Sequence, residues 1–340
     1  MCFKRTFLSL SQLLLLNNIF RFINKNKIAV LMYHGIVPDD YPIDAWTLVR
    51  ESEFRKQMSH LKKYYKVISI EEAINQINHP LNGGKPRVVI TFDDGYENNY
   101  SIAYPIIKAF NFPATIFVAT AFIDSPELFW FDKVIYDIQS TQCQILDLSA
   151  HNLDIHYFGS TEKSKRWDAI ECLLSRLKAE EPSPRKKIVD EIRTRLSPKF
   201  EQIGMLFPLK SQQIVDMSGE GLIEFGSHTH SHEILTQLNT DEVRETVKAS
   251  IEAIFELTGE EVRYFSYPNG EFKNDTIKVL KEARLNAAFT TTNGFWNTNV
   301  RPYEIPRLGV GGYDYIEIFA GALSGVKAAI SSPKKWFLRR

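Results

Sequence analysis

VVITFDDGYENN, residues 88–99, carries a β-rich run straight into two adjacent carboxylates and a glycine. Four of the five residues 88–92 are apolar, with no polar alternation. A strand of that kind is covered on both faces, and such strands belong to parallel α/β sheets. Reading outward, similar runs recur as IAVLMY (28–33), KVISI (66–70), ATIFVA (114–119), IEFGS (223–227), VRYFSY (262–267), AAFTT (287–291) and IPRLGV (305–310). Helix-like segments separate them, among them SEFRKQMSHLKKYY and TDEVRETVKASIEAIFELTG. The second of these is expected to start with Thr240 as N-cap and to stop at Gly259. Strands alternating with helices make a parallel sheet, open or closed into a barrel.

The stretch from about 121 to 220 is charged, helical in pattern and poor in strand signals, with breaks expected at Pro182 and Pro184. It reads as a helical insertion in the α/β body. No internal repeat or low-complexity segment occurs. The 340 residues are 44% hydrophobic and 24% charged, enough for one large α/β body or two modest ones. The 41 basic and 41 acidic side chains cancel, so no global field draws the chain to nucleic acid. Cys2, Cys143 and Cys172 are few and far apart, and they make no disulfide framework.

The ends differ from the rest. Residues 1–27 begin with Lys4 and Arg5, then a short apolar run interrupted by Ser9, Ser11 and Gln12. No small-residue cleavage site follows, and the run is too short to span a bilayer. The reading favours a retained amphipathic segment, hence a cytoplasmic, membrane-associated chain. A signal for export is the alternative. The tail, 321–340, ends in PKKWFLRR, which has four basic residues, two aromatics and no acid. Both ends are candidates for contact with a membrane surface.

Four motifs carry the chemistry, each at the C-terminal end of an expected strand, where parallel barrels place their active sites. Asp-Asp-Gly alone is a turn signal, but two carboxylates at a barrel mouth are costly unless a cation binds them. IEFGSHTHSHEIL holds three of the chain's eight histidines within five residues: His228, His230 and His232. If the segment is helical, His228 and His232 share a face; if it is extended, all three do. Two histidines and one carboxylate make three ligands of a zinc-type site with a position left open. In VRYFSYPNGEF, the backbone N–H after Pro268 is placed to stabilise an oxyanion. In IAVLMYHGI, His34 ends its strand, and no histidine follows His232, so a histidine acid comes from upstream or from the cluster. Together these are the parts of a hydrolase acting on an amide or ester.

TFDDGY, HTHSH and FSYPNG resemble the polysaccharide deacetylases of carbohydrate esterase family 4, the NodB homology domain. The similarity covers most of residues 28–125 and 220–310. LMYHGI and IPRLGV resemble the branch that includes poly-N-acetylglucosamine deacetylases. The resemblance implies a distorted (β/α)7 barrel over residues 28–320, a divalent metal (zinc, with cobalt or nickel as alternatives) and an acetylated amino-sugar oligo- or polysaccharide as substrate. It implies Asp93 as general base, Asp94, His228 and His232 as metal ligands, and the amide of Asn269 in an oxyanion hole. The commoner family form has an arginine before the proline motif that orients the catalytic aspartate, where this chain has Ser266. Arg307 is the candidate to supply that cation. The commoner form also has a late Leu-x-His that this chain lacks, which makes His34 the candidate acid. Two other readings keep the scaffold: an amidase acting on a non-sugar substrate, and a carbohydrate-binding homologue without turnover. The sugar, its linkage, N- versus O-acetyl and the oligomeric state are not legible.

Overall fold

The computed structural model describes residues 16–79, 83–158, 163–198 and 203–327. Most of the expected N-terminal segment (1–15) and of the basic tail (328–340) lies outside them. The chain opens with helix α1 (Leu16–Ile23), β1 (Ile28–Tyr33), β2 (Gly35–Val37), β3 (Leu48–Arg50), α2 (Glu51–Tyr64), β4 (Lys66–Val67) and α3 (Ile70–Asn78). Next come β5 (Arg87–Phe92), a π-helical turn (Asn99–Ala103), α4 (Tyr104–Phe110) and β6 (Ala114–Val118). After the insertion follow α8 (Ser211–Ser218), β9 (Ile223–Ser227), α9 (Thr240–Thr258), β10 (Tyr264–Ser266), α10 (Asn274–Glu282), β11 (Ala287–Asn293), β12 (Ile305–Gly309) and α11 (Ile316–Ser324).

Seven strands, β1, β5, β6, β9, β10, β11 and β12, close a parallel ring, as expected of a (β/α)7 barrel. Closure is firm where β1 meets β5, paired from Ile28↔Arg87 to Tyr33↔Phe92. Elsewhere the ring is uneven: β9 and β10 share only Phe265↔Ser227, and the β11–β12 register shifts between Phe289 and Asn293. The distortion lies there. The run read as KVISI pairs only at Lys66 and Val67, outside the ring, against the start of β5. It stops because Ser69 caps α3, its side chain accepting from Glu72 N at 3.1 Å. The cap of α9 is Asn239 rather than Thr240, since Asn239 Oδ1 accepts from the N–H groups of Asp241 and Glu242 while Glu242 accepts in return. Gly259 ends that helix with φ 69°, as the sequence required.

Side-chain alternation explains where the polar groups go. One buried cluster joins Ile28, Val30, Val89, Phe117, Tyr264, Ala287, Phe289 and Ile305 from the ring strands. Two residues further along the same strands come Thr91, Ser266 and Arg307, and then Asp93 just past β5. The interior is therefore apolar at the strands' N-terminal ends and polar toward their C-terminal ends. Gly226 of β9 makes room for this filling. A Cβ there would lie 2.6 Å from the Phe117 ring.

A second compact unit consists of residues 125–207 with 41–45. It holds α5 (Trp130–Ser140), α6 (Lys163–Ala179) and α7 (Pro182–Leu196). Between α5 and α6 lies a short antiparallel pair, β7 (Ile145–Asp147) and β8 (Ile155–Tyr157), which the sequence reading did not anticipate. The unit is narrower than the expected 121–220. Residues from 208 belong with the barrel, where Leu209 N donates to Gly95 O at 2.8 Å. The helix break precedes Pro182; Pro184 sits in the first turn of α7, where a missing N–H costs nothing. Cys143 and Cys172 are free thiols.

Candidate active site

Backbone strain gathers where the strands end. Asp94, Thr229, His232 and Asn269 have φ of 73°, 66°, 55° and 57°. For a β-branched residue such as Thr229 this is an outlier, and strain of this kind persists only where the surroundings enforce it. Gly270, φ 77°, follows Asn269 and has no alternative, because a Cβ would overlap Thr291 Oγ1. These turns lie just past the C-terminal ends of β5, β9 and β10.

The histidine loop is neither helical nor a continued strand. Its left-handed residues turn His228 and His232 onto Asp94, with each Nε2 3.4 and 3.3 Å from Asp94 Oδ1. His230 turns elsewhere, its Nδ1 2.9 Å from Thr120 Oγ1. Glu233 stiffens the loop by accepting from Ser231 N and Thr246 Oγ1 at 2.8 and 2.9 Å. His228 Nδ1 donates to the Ser266 carbonyl at 2.7 Å, which leaves Nε2 as the lone-pair nitrogen toward Asp94.

The ligand atoms of Asp94, His228 and His232 lie within 4.8 Å of one another. Two donors about 2.0–2.1 Å from a tetrahedral zinc-type ion stand about 3.3 Å apart, so the 3.3 and 3.4 Å edges suit such an ion. The charges suit it too. Burial alone would raise the Asp94 carboxyl, but His228 and His232 hold it well below the ordinary range. Burial would lower His228, but Asp94 and Asp93 outweigh it and hold the imidazole above its usual value. The buried carboxylates favour a positive charge here, which a cation bound through the imidazole lone pairs would supply in place of a proton.

Asp93 is kept apart from that set by Arg307. Arg307 is 0% exposed, and its Nη1 and Nη2 donate to Asp93 Oδ1 and Oδ2 at 2.7 and 2.6 Å. Ser266 Oγ lies 2.9 Å from Nη2 and donates to Asp93 Oδ2 at 3.2 Å. Desolvation would raise the Asp93 carboxyl; the Arg307 charge, then His228 and the Arg307 hydrogen bonds, bring it below the ordinary range instead. The structure thus sets Arg307 against Asp93 from β12, with Ser266 joining the pair.

His34 is half-buried and lines a cavity of about 240 Å³ with Met32, Trp46, Val310, Tyr313 and Asp314. Burial lowers its imidazole; Asp94 and Asp93 pull the other way. Two residues that the sequence reading passed over hold its loop. Asn99 Nδ2 donates to His34 O at 2.7 Å, and Asn98 Oδ1 accepts from Ile36 N at 2.9 Å. The signal was present as a buried Asn pair straight after the carboxylates, but nothing local says which loop it ties. Asn269 brings its backbone N–H to the same end of the barrel, and among the described residues that N–H has no acceptor.

The family model for polysaccharide deacetylases matches residues 81–288. Those residues include the loops of Asp93, Asp94, His228, His232 and Asn269; His34 and Arg307 lie outside them. A poly-beta-1,6-N-acetyl-D-glucosamine N-deacetylase of Escherichia coli K12 is 34% identical over 106 residues, 30% of this chain and 15% of that protein. One of Staphylococcus aureus MSSA476 is 29% identical over 133 residues, 37% of this chain and 44% of that protein. The matched stretches therefore span less than half of those relatives' lengths. Among solved structures, the Streptococcus pyogenes deacetylase PplD in complex with acetate is similar with a TM-score of 0.58 at 17% identity, covering 87% of this chain and 98% of that one. IcaB from Ammonifex degensii gives 0.55 at 18%, covering 88% and 97%. At these identities the likeness is one of fold. The match across more than half the chain decides the family: this chain belongs to the polysaccharide deacetylases, a family of hydrolases.

Proposed function

We propose that this chain is a metal-dependent hydrolase that removes N-acetyl groups from an N-acetylhexosamine polymer of the poly-β-1,6-N-acetylglucosamine class, or from its lipid-linked precursor. One observation carries the reading: a carboxylate clamped by a buried arginine stands next in sequence to a carboxylate that two imidazoles face. A divalent ion held by Asp94, His228 and His232 would supply Lewis-acid polarisation of the acetyl carbonyl and a more acidic water. Asp93 stays anionic through the working pH range and takes up the water's proton. A carboxylate has about four acceptor sites. Arg307 and Ser266 use three of them, which leaves Oδ1 the oxygen with room for that proton. The Asn269 N–H stabilises the carbonyl oxygen as negative charge develops, a contribution of about 3 kcal/mol for one such donor. His34 delivers a proton to the departing amine; its lowered pKa makes the protonated ring the stronger acid.

The test is acetate release by the purified protein, stripped of metal and reloaded with zinc or cobalt, on N-acetylhexosamine oligosaccharides and an O-acetylated sugar. Metal-dependent release is expected from the N-acetylated substrates. Asp93→Asn should lower turnover by about 10²–10⁴-fold with metal content retained. Hydrolysis of small cyclic amides without action on any sugar would make the chain an amidase. Saccharide binding with no acetate released would make it a binding protein.

A further inference from the structure

Helix α1 leaves an apolar face uncovered. Its buried residue is Asn17, whose Oδ1 accepts from Ser324 Oγ at 2.8 Å, and Asn24 just beyond the helix donates to Ser324 O at 2.9 Å. Leu16 and Phe20 rest on Ile318 and Val326. Ile19, Phe22 and Ile23 point away from the protein, 51%, 69% and 40% exposed. Their i, i+3, i+4 spacing makes them one face. Asn17 and Asn24 anchor the helix beside Leu16 and Phe20, while Ile19, Phe22 and Ile23 leave a second apolar face to the surroundings.

Charge shows what those surroundings are. Residues 1–38 contain Lys4, Arg5, Arg21, Lys25 and Lys27 and no acid; residues 318–340 contain Lys327, Lys334, Lys335, Arg339 and Arg340 and no acid. The whole chain is neutral with 41 charges of each sign, so the body between keeps 31 basic groups against 41 acidic. The fold joins the described parts of these two segments, because α1 packs on α11 and the following Val326. Lys25 Nζ sits 4.4 Å over the Phe22 ring, and the Arg21 guanidinium lies 4.1 Å over Tyr64, so cations border the apolar face. A second copy docking here would set one cationic end against another.

We propose that this face of α1, with the basic residues around it, docks on an anionic lipid bilayer surface. The apolar side chains enter the headgroup boundary while the lysines and arginines reach the lipid anions. No helix among the described residues is long and apolar enough to cross a membrane. Strand β1 leaves the end of α1 and carries His34 at its far end. Six residues at about 3.3 Å each put His34 about 20 Å along the strand from Ile28.

The experiment is co-sedimentation of the full chain with phosphatidylcholine vesicles and with vesicles containing about one third phosphatidylglycerol, at low and high salt. Binding to the anionic vesicles, weakened by salt, is expected. The triple variant Ile19→Ser, Phe22→Ser, Ile23→Ser should lower the partition coefficient at least about tenfold with its melting temperature unchanged. Independently, Phe22→Trp should add a blue-shifted emission component on anionic vesicles that the parent lacks. Equal affinity for both vesicle types, or none for either, overturns the proposal. A triple variant that binds like the parent reassigns the contact to the terminal segments. Indifference to vesicles together with a dimer that the triple variant abolishes gives the face to a second copy. None of these readouts depends on acetate release, so the docking and the proposed reaction can fail separately.

Discussion

The five N–H groups of Arg307 meet five acceptors inside the barrel: Thr290 O, Thr91 Oγ1, both Asp93 oxygens and Ser266 Oγ, all within 3.2 Å. A guanidinium that deep is tolerable only because every donor is met and the paired carboxylate cancels its charge. Arg307→Met should therefore cost about 3–5 kcal/mol in urea unfolding, since it strands the Asp93 charge. Adding Asp93→Asn to that variant should recover much of the loss. If the double variant is no more stable than Arg307→Met, the pair is not what makes the single change costly. A lysine cannot reproduce the bidentate fork, so Arg307→Lys should keep more stability than Arg307→Met yet still lose activity. At this scale the family resemblance offered Arg307 as the cation that orients the catalytic aspartate. It could not reveal that Ser266, standing where the commoner family form has arginine, would bridge the pair.

Helix α5 carries a carboxylate that the catalytic reading does not use. Asp137 is 0% exposed, its oxygens have no hydrogen-bond partner among the described residues, and Arg193 of α7 approaches only to 3.6 Å. Desolvation, opposed by Arg193 and Lys133, pushes its pKa up to about 6. That lies above the value of about 3.9 for an unfolded chain, so the folded state holds the proton more tightly. Asp137 should therefore weaken the fold increasingly as pH rises through 6 and cost nothing below about 4, a span worth roughly 2–3 kcal/mol. Asp137→Asn should gain clearly more stability over the parent near pH 8 than near pH 4.5, by denaturant titration at both values. A stability difference that does not change with pH would remove the buried charge as its cause. Element boundaries show the same dependence on surroundings. Apolar runs marked the centres of the ring strands, but KVISI and VRYFSY were read too long. A strand ends where its neighbour stops pairing or a cap starts a helix, and neither event is local to the run.

For the whole molecule, a metal that binds only the folded barrel stabilises it by mass action, about 2.7 kcal/mol at a free concentration one hundred times its dissociation constant. Chelation should lower the melting temperature by several degrees, zinc should restore it, and His232→Ala should abolish the response. Identical melting with and without zinc would remove Asp94, His228 and His232 as a metal site. By itself, the sequence determined the parallel α/β architecture, the helical character of the insertion and the four strand-end motifs. Each of these follows from local periodicity, turn chemistry or residues adjacent in the chain. Only the tertiary structure decided that the ring closes through β1 and β5, that His228 and His232 face Asp94 while His230 does not, and that Asn98 and Asn99 hold the His34 loop. It alone set Arg307 on Asp93, 214 residues away. Those outcomes depend on which strands become neighbours and on left-handed turns that surrounding packing enforces, and no window of sequence contains that information.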